Sequence, residues 1–159
     1  MLLWMGRVRT CPATPTCYQV PLRPGIPAYG AIQWPTIGIF SNTAGNDIHI
    51  VDNLSLADPI GSHLELTRRG RAGHEKLLPA AWIVARFADP AAPLPAGGPS
   101  AADVAAAREA LNCGEIPELL AAVSNPMTPA RFAHNLLDAF RFYRFRIPPD
   151  PEQARKSLC

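Results

Sequence analysis

Short runs of branched apolar residues, separated by polar residues, mark the first third of the chain. Two of these runs, residues 36–40 (TIGIF) and 47–52 (DIHIVD), enclose a polar segment at 41–46 that suits a turn or loop. Residues 17–20 (CYQV), within a proline-rich stretch, fit a short edge strand. The pattern therefore predicts a short sheet within about residues 18–52.

The strand predicted at residues 47–52 has two different faces. Ile48 and Ile50 share one face, and His49 and Val51 share the other, because successive side chains of a strand alternate. Asp52 falls where this strand ends.

Helix-start signals recur after the predicted sheet. Residues 58–59 (Asp-Pro) and 128–129 (Thr-Pro) each place a capping side chain before a proline at the first helical position. Ser100 with Asp103 resembles a capping box, and Gly114 is expected to end the alanine-rich helix that follows. The predicted helices cover residues 59–65, 79–87, 101–112, 115–124 and 129–146.

The last predicted helix carries an apolar stripe. Phe132, Leu136, Phe140 and Tyr143 follow one another at intervals of four, four and three residues, which places them on one helix face. We expect this stripe to be buried in the core. Two alternatives remain open, since aromatic and basic residues alternate over 141–146: docking on an anionic membrane surface, or binding to nucleic acid.

These elements indicate an α+β (or small α/β) domain, in which short helices pack on a short sheet and a helical segment is appended. Proline removes backbone donors, so little regular structure is expected in the arm or after the prolines near residue 148. We divide the chain into a proline-rich arm, an α/β core, a linker, a helical segment and a polar tail, at residues 1–28, 29–88, 89–99, 100–147 and 148–159.

Composition and charge exclude several classes of protein. The chain is 48% hydrophobic and 18% charged, which does not fit a highly charged disordered protein. A net charge of +2 is too small to indicate a nucleic-acid-binding protein. No apolar stretch is long enough to span a membrane, and the apolar residues 1–5 precede the first arginines, the reverse of the order in a signal peptide.

The cysteines form no metal-binding pattern. In an oxidising compartment Cys11 and Cys17 could close a small loop. The alternative is that Cys11, Cys17, Cys113 and Cys159 are all free thiols without a role.

The densest cluster of polar residues lies between positions 49 and 76. A small metal-dependent hydrolase built on His49, Asp52, His63 and His74 is one hypothesis, because imidazoles and carboxylates are metal ligands. The spacing of these residues matches no established metal motif, so a structural role for them is the alternative.

A basic loop follows within the same region. It carries Arg68, Arg69, Arg71 and Lys76 among glycines, and arginine forks match phosphate oxygens. The loop is therefore a candidate site for an anion, with a solvated loop as the alternative.

Three separated blocks in this order resemble a known family. Residues 48–59 (IHIVDNLSLADP), 71–76 (RAGHEK) and 82–86 (WIVAR) are similar to the soluble C-terminal domain of polytopic GT-C glycosyltransferases. The closest likeness is to the actinobacterial terminal arabinofuranosyltransferases of cell-wall arabinan. In that family a strand ends in V-D, a G-L-A-D-P helix start follows, and G-H-E-K comes next. This chain departs from the pattern at Asn53 and at Ser55, where the family often has glycine.

The resemblance implies an accessory role. Family members use polyprenyl-phosphate arabinose as donor, and their catalytic carboxylate lies near the first of many membrane helices. We therefore expect a fragment or detached domain with no catalytic residue, metal or cofactor of its own. It would lie at the outer face of the plasma membrane. Its partners would be the membrane-embedded N-terminal portion or the membrane, and a lipid-linked sugar or arabinan acceptor, rather than nucleic acid. The hypothetical substrate-binding residues are Asp52, Asp58, Arg68, Arg69, Arg71, His74, Glu75 and Lys76.

Overall fold

The computed structural model describes residues 2–6, 17–28, 30–34, 37–52, 54–94 and 96–159. It contains a four-stranded sheet in the order β2-β1-β3-β4. The strands are β1 (Leu2–Gly6), β2 (Cys17–Val20), β3 (Gly30–Trp34) and β4 (Ile48–Asp52). β1 pairs parallel with β2 and antiparallel with β3, and β3 pairs parallel with β4. The predicted edge strand at residues 17–20 is confirmed.

Two expectations for the first third of the chain are wrong. Besides the expected β2, the arm contains the strand β1, although little further regular structure was expected there. Residues 36–40 were predicted as a strand, yet Ile37–Ala44 form helix α1. The physical reason is topological: the adjacent parallel strands β3 and β4 need a crossover connection, and a helix between them supplies it.

The remaining helices are α2 (Pro59–His63), α3 (Ala80–Phe87), α4 (Ala101–Ala110), α5 (Ile116–Ser124), α6 (Pro129–Arg144) and α7 (Pro151–Leu158). Of these, α2 to α6 follow the predicted order, and α7 was not predicted. Asp58, Ser100 and Thr128 cap α2, α4 and α6 through side-chain acceptors, as predicted. The chain is an α+β domain. None of the described helices is both long and apolar enough to cross a bilayer.

Helix α3 is the centre of the core. It is buried along nearly its whole length, and Trp82 has no exposed surface. The Trp82 indole Nε1 donates to the Pro149 carbonyl at 2.9 Å, which ties α3 to the segment before α7. Around α3 pack residues from the sheet and the later helices: Val20, Ala31, Val51, Ile60, Leu64, Val104, Ala107, Ile116, Ile147 and Ala154.

The C-terminal segment is a helix joined to the core, so the expectation that regular structure ends near residue 148 is wrong. Asp150 caps α7 by accepting from the Gln153 amide at 2.8 Å, and Ala154 is fully buried. A disulfide joins Cys113, after α4, to Cys159. The alternative that all four cysteines are free thiols is therefore wrong for these two. Cys11 of the possible Cys11–Cys17 pair lies outside the described residues.

The apolar stripe of α6 is exposed, which overturns its prediction as core. Phe132, Leu136, Phe140 and Tyr143 are 61%, 58%, 79% and 77% exposed. Only Phe142 of this helix is buried. The periodicity correctly identified one face of a helix, but the protein packs a different face inward.

Candidate functional site

Asp52 organises the loop that joins β4 to α2. Its side chain is buried, and its carboxylate accepts from the backbone amides of Leu54, Leu56 and Ala57 at 2.9, 2.7 and 2.9 Å. Three amide donors use most of the acceptor capacity of one carboxylate. Asp52 therefore holds the loop in shape and has little capacity left for a ligand.

Asp58 joins this loop to the core. One carboxylate oxygen accepts from the amides of Ile60 and Gly61, both at 2.9 Å, and so caps α2. The other accepts from Arg86 Nη1 of α3 at 2.6 Å. The side chains of Asp58 and Arg86 are only 2% and 11% exposed, so the ion pair lies inside the domain.

Ser55 occupies a strained position in the same loop. Its φ of 65° is in the left-handed region, which glycine adopts at little cost and serine does not. Its hydroxyl is buried without a hydrogen-bond partner among the described residues. A Cβ on the neighbouring Gly61 would lie 2.6 Å from the Ser55 Oγ, so the two residues are packed closely.

The basic loop, residues 68–76, is anchored at its base. The Gly70 amide donates to Glu75 Oε1 at 3.1 Å, and Lys76 Nζ donates to the Ser62 carbonyl of α2 at 2.7 Å. Burial lowers the pKa of Lys76, the nearby Arg146 lowers it further, and Glu75 opposes both. Glu75 and Lys76 thus fix the loop in shape.

The arginines of the basic loop face solvent. Arg68, Arg69 and Arg71 are exposed, as is His74. None of the ion pairs between described residues includes these arginines. The structure therefore divides the predicted site residues into two groups: buried or anchoring residues (Asp52, Asp58, Glu75 and Lys76) and exposed residues (Arg68, Arg69, Arg71 and His74).

The hypothesis of a metal-dependent hydrolase finds no support. In the described part of the chain, no three His, Cys, Asp or Glu side chains are grouped so that they could hold a metal ion. His63 is oriented by the Pro59 carbonyl, which lies 2.8 Å from its Nδ1, and its ring packs near Phe142 and Phe145. These contacts give His63 a structural role.

A groove that the sequence did not indicate lies beside α3. Its volume is about 720 Å³, within the range usual for small-molecule sites. Among the described residues that line it, none is acidic, and the polar and aromatic ones are Arg23, His49, Arg86, Phe87, Arg108, Asn112 and Ser124. These residues come from five separate parts of the chain, so no local sequence motif could have predicted the groove.

Among the described residues that line the groove, His49 is the titratable one whose ordinary pKa is closest to neutral pH. Its ring centre lies 4.7 Å from that of Phe87, and Arg86 stacks on the same Phe87 ring at 4.8 Å. Loss of water lowers the pKa of His49 from its ordinary value of 6.5, Arg86 lowers it further, and Asp58 opposes the shift. The groove therefore combines arginines with an imidazole that resists protonation.

Comparison with known sequences decides the family. Residues 27–156 match the sequence family described as the AftB family C-terminal domain. The chain belongs to this family. The three blocks that suggested an arabinofuranosyltransferase resemblance lie within the matched region, so that prediction is confirmed.

Two curated relatives agree with this assignment. Each is named terminal beta-(1->2)-arabinofuranosyltransferase. The chain is 31% identical over 124 residues to that of Mycobacterium tuberculosis, which covers 76% of this chain and 20% of the relative. It is 31% identical over 123 residues to that of Corynebacterium glutamicum, with 77% and 18% covered. The chain thus spans about one fifth of the length of these relatives. No solved structure matches it.

Proposed function

We propose that this chain is an accessory domain of a polyprenyl-phosphate-dependent arabinofuranosyltransferase, and that its basic loop binds the phosphate of the lipid-linked donor. The observation that carries the proposal is the anchored loop itself, with three exposed arginines that no described carboxylate neutralises. Guanidinium groups bind phosphate oxygens through paired, charge-assisted hydrogen bonds. Family membership supplies the reaction class.

The anchoring of the loop favours binding over mere solvation. Glu75 closes the loop onto the Gly70 amide, and Lys76 fixes its end to the Ser62 carbonyl. A loop held in this way loses less conformational entropy when its side chains meet a ligand. Asp52 and Asp58 contribute indirectly, because they hold the α2 helix to which Lys76 is attached.

Under this proposal, another part of the enzyme supplies the catalytic base. Glycosyl transfer needs a base for the acceptor hydroxyl and a group that stabilises the departing phosphate. Among the family-motif carboxylates, Asp52 accepts three amide hydrogen bonds, and Asp58 is held by a helix end and Arg86. The arginines of the basic loop are suited to the second task only.

The disulfide supports a location outside the cytoplasm. Structural disulfides form and persist in oxidising compartments and are rare in the cytosol of mesophiles. The Cys113–Cys159 bond joins the end of α4 to the end of α7. It therefore favours the outer face of the membrane, where a lipid-linked arabinose donor would be met.

The groove is a second candidate for the same phosphate. It contains Arg23, Arg86 and Arg108, and none of the described residues that line it is acidic. Arg86 is already paired with Asp58, whereas Arg23 and Arg108 take part in none of the ion pairs between described residues. The two sites thus offer matched pairs of arginines for one experiment.

Binding of a soluble prenyl phosphate tests the proposal. We would measure the affinity of the whole chain for farnesyl phosphate by titration calorimetry, with farnesol as the control that lacks the phosphate. The double variant Arg68→Gln/Arg71→Gln should weaken phosphate-dependent binding by about tenfold, because two charge-assisted hydrogen bonds are lost. The variant Arg23→Gln/Arg108→Gln, which changes the net charge equally, should bind like the parent.

Each other outcome has a definite meaning. A loss confined to Arg23→Gln/Arg108→Gln would assign the phosphate to the groove instead of the basic loop. Equal binding of farnesol and farnesyl phosphate, or no effect of either double variant, would overturn the proposal. Replacement by lysine at positions 68 and 71 tests the arginine geometry, since lysine keeps the charge but loses the paired donors.

A further inference from the structure

Helix α6 presents an apolar face that no described part of the protein covers. Its 16 residues extend about 24 Å. Along this length Phe132, Leu136, Leu137, Phe140 and Tyr143 are between 58% and 79% exposed. Monomeric soluble proteins seldom expose large apolar residues in one contiguous row, so such a face marks an interaction surface.

The opposite side of α6 is the side that the domain holds. Phe142 is buried, and Asn135 Nδ2 donates to the Ala122 carbonyl of α5 at 2.9 Å. Asp138, the only acidic residue of the helix, is 16% exposed and pairs with His134 at 2.8 Å and with Arg141 at 3.5 Å. The apolar stripe therefore points away from the domain and carries no negative charge.

The cations near the stripe are available to an anionic partner. Arg144 of α6 and Arg146 beyond it take part in none of the ion pairs between described residues. Arg146 instead donates to the Tyr143 and Phe145 carbonyls at the end of the helix. A long apolar face bordered by arginines is the pattern of helices that lie in a membrane interface.

The C-terminal end of α6 also leads to the basic loop. Ile147 pairs with Leu64 in a short bridge, and its carbonyl accepts from the Glu65 amide at 2.8 Å. Arg146 lies close enough to Lys76 to lower the pKa of that lysine. Positive charge is thus concentrated where the end of α6 meets the base of the loop at residues 68–76.

We infer that α6 is an interfacial helix, which lays its apolar face on the surface of an anionic phospholipid membrane. Phenylalanine and leucine enter the boundary between head groups and acyl chains, while Arg144 and Arg146 meet lipid phosphates. Association with a second copy fits the charges less well. A two-fold interface through this face would bring arginines of both copies together with no described acidic residue between them. The inference rests on α6 alone and does not depend on the phosphate site of the basic loop.

Vesicle binding by the whole chain tests this inference. We would compare vesicles of phosphatidylcholine with vesicles that also contain phosphatidylglycerol, by cosedimentation. The double variant Leu136→Ser/Phe140→Ser should bind the anionic vesicles about tenfold more weakly, because it removes apolar area from the stripe. The matched control Leu56→Ser/Leu66→Ser replaces two large apolar residues that are also exposed but lie outside α6, and it should bind like the parent.

Charge and orientation have separate readouts. Arg144→Gln should weaken binding to anionic vesicles by about fivefold and leave the weak binding to phosphatidylcholine unchanged. The parent has three tryptophans of its own, so the readout is the difference in fluorescence between Phe140→Trp and the parent, and this difference emission should shift to shorter wavelength when anionic vesicles are added. All the replaced residues are exposed, so circular dichroism should report an unchanged fold for each variant.

Three results would overturn the inference. The first is an absence of binding to anionic vesicles by the parent chain. The second is equal binding to both kinds of vesicle, which would remove the role of the arginines. The third is a dimer in solution that Leu136→Ser/Phe140→Ser dissociates, since a second copy would then cover the stripe.

Discussion

Arg86 Nη1 on α3 donates to Asp58 Oδ2 at 2.6 Å, across a sequence separation of 28 residues. This pair connects the centre of the core to the loop that carries the family motif. Because Asp58 also caps α2, the position of α2 depends on α3. Lys76 is attached in turn to the Ser62 carbonyl of α2. The core thus positions the basic loop through a chain of polar contacts.

Loss of the Asp58 charge should destabilise the domain. Asparagine still caps a helix, so Asp58→Asn removes mainly the ion pair and leaves Arg86 largely buried without its partner. Removal of one partner from a buried pair is strongly destabilising, and we expect a loss of about 3 kcal/mol in the free energy of unfolding. Urea denaturation followed by circular dichroism measures it.

The control for this variant is Asp150→Asn. Asp150 is an exposed N-cap that accepts from the Gln153 amide and enters none of the ion pairs between described residues. Its replacement should lower the free energy of unfolding by well under 1 kcal/mol, or roughly a few tenths. Equal losses for the two variants would contradict a special contribution of the Arg86 pair.

Replacement of Ser55 by glycine should stabilise the domain. Glycine tolerates the φ of 65°, and it eliminates a buried hydroxyl that has no described partner. We expect a gain of about 1 kcal/mol, reduced by the larger entropy of glycine in the unfolded chain. Thermal and urea denaturation report the gain. Ser55→Ala removes the hydroxyl but keeps the strained φ, so a gain as large as that of glycine would assign the effect to the hydroxyl alone.

The disulfide should contribute strongly to stability. Cys113 and Cys159 are separated by 46 residues, and closing a loop of this length stabilises by up to about 4 kcal/mol in the chain-entropy model. The double variant Cys113→Ser/Cys159→Ser should therefore unfold at a lower urea concentration than the oxidised parent. Adding dithiothreitol to the parent should produce at least the same loss. A parent whose denaturation midpoint does not respond to reductant would contradict this prediction.

Stability should fall as the solution becomes mildly acidic. Desolvation and Arg86 lower the pKa of His49 in the folded state, while the unfolded chain keeps the ordinary value of 6.5. Between these two pKa values the unfolded state binds more protons, so the stabilising contribution is complete above 6.5 and is lost as the pH falls toward the folded pKa.

The measurement is the free energy of unfolding between about pH 7 and pH 5, the range in which histidine titrates. His49→Gln should show a flatter profile than the parent. The exposed His74→Gln serves as the matched control and should keep the parent's slope. Identical slopes for the parent and His49→Gln would exclude His49 as the source.

The local sequence predicted the parts of the fold that neighbouring residues decide. Each correct helix start, at Asp58, Ser100 and Thr128, depends on a side chain that caps an amide two or three residues later. The expected end of β4 at Asp52 is observed for the same reason, since its carboxylate binds amides within the following five residues. The family resemblance rests on these local motifs, so it too was visible in the sequence.

Contacts between distant parts of the chain decided the remainder. The run of branched residues near residue 37 forms a helix because β3 and β4 pair side by side and need a crossover connection. Cys113 forms a disulfide with Cys159 because α7 packs on α4. Periodicity showed that the stripe of α6 lies on one face, but which face turns inward depends on Phe142 and Asn135 meeting the rest of the domain. The sequence by itself determined where helices begin and to which family the motifs belong. The tertiary structure decided which carboxylates are buried and which arginines stay exposed, because burial depends on contacts that no short stretch of sequence contains.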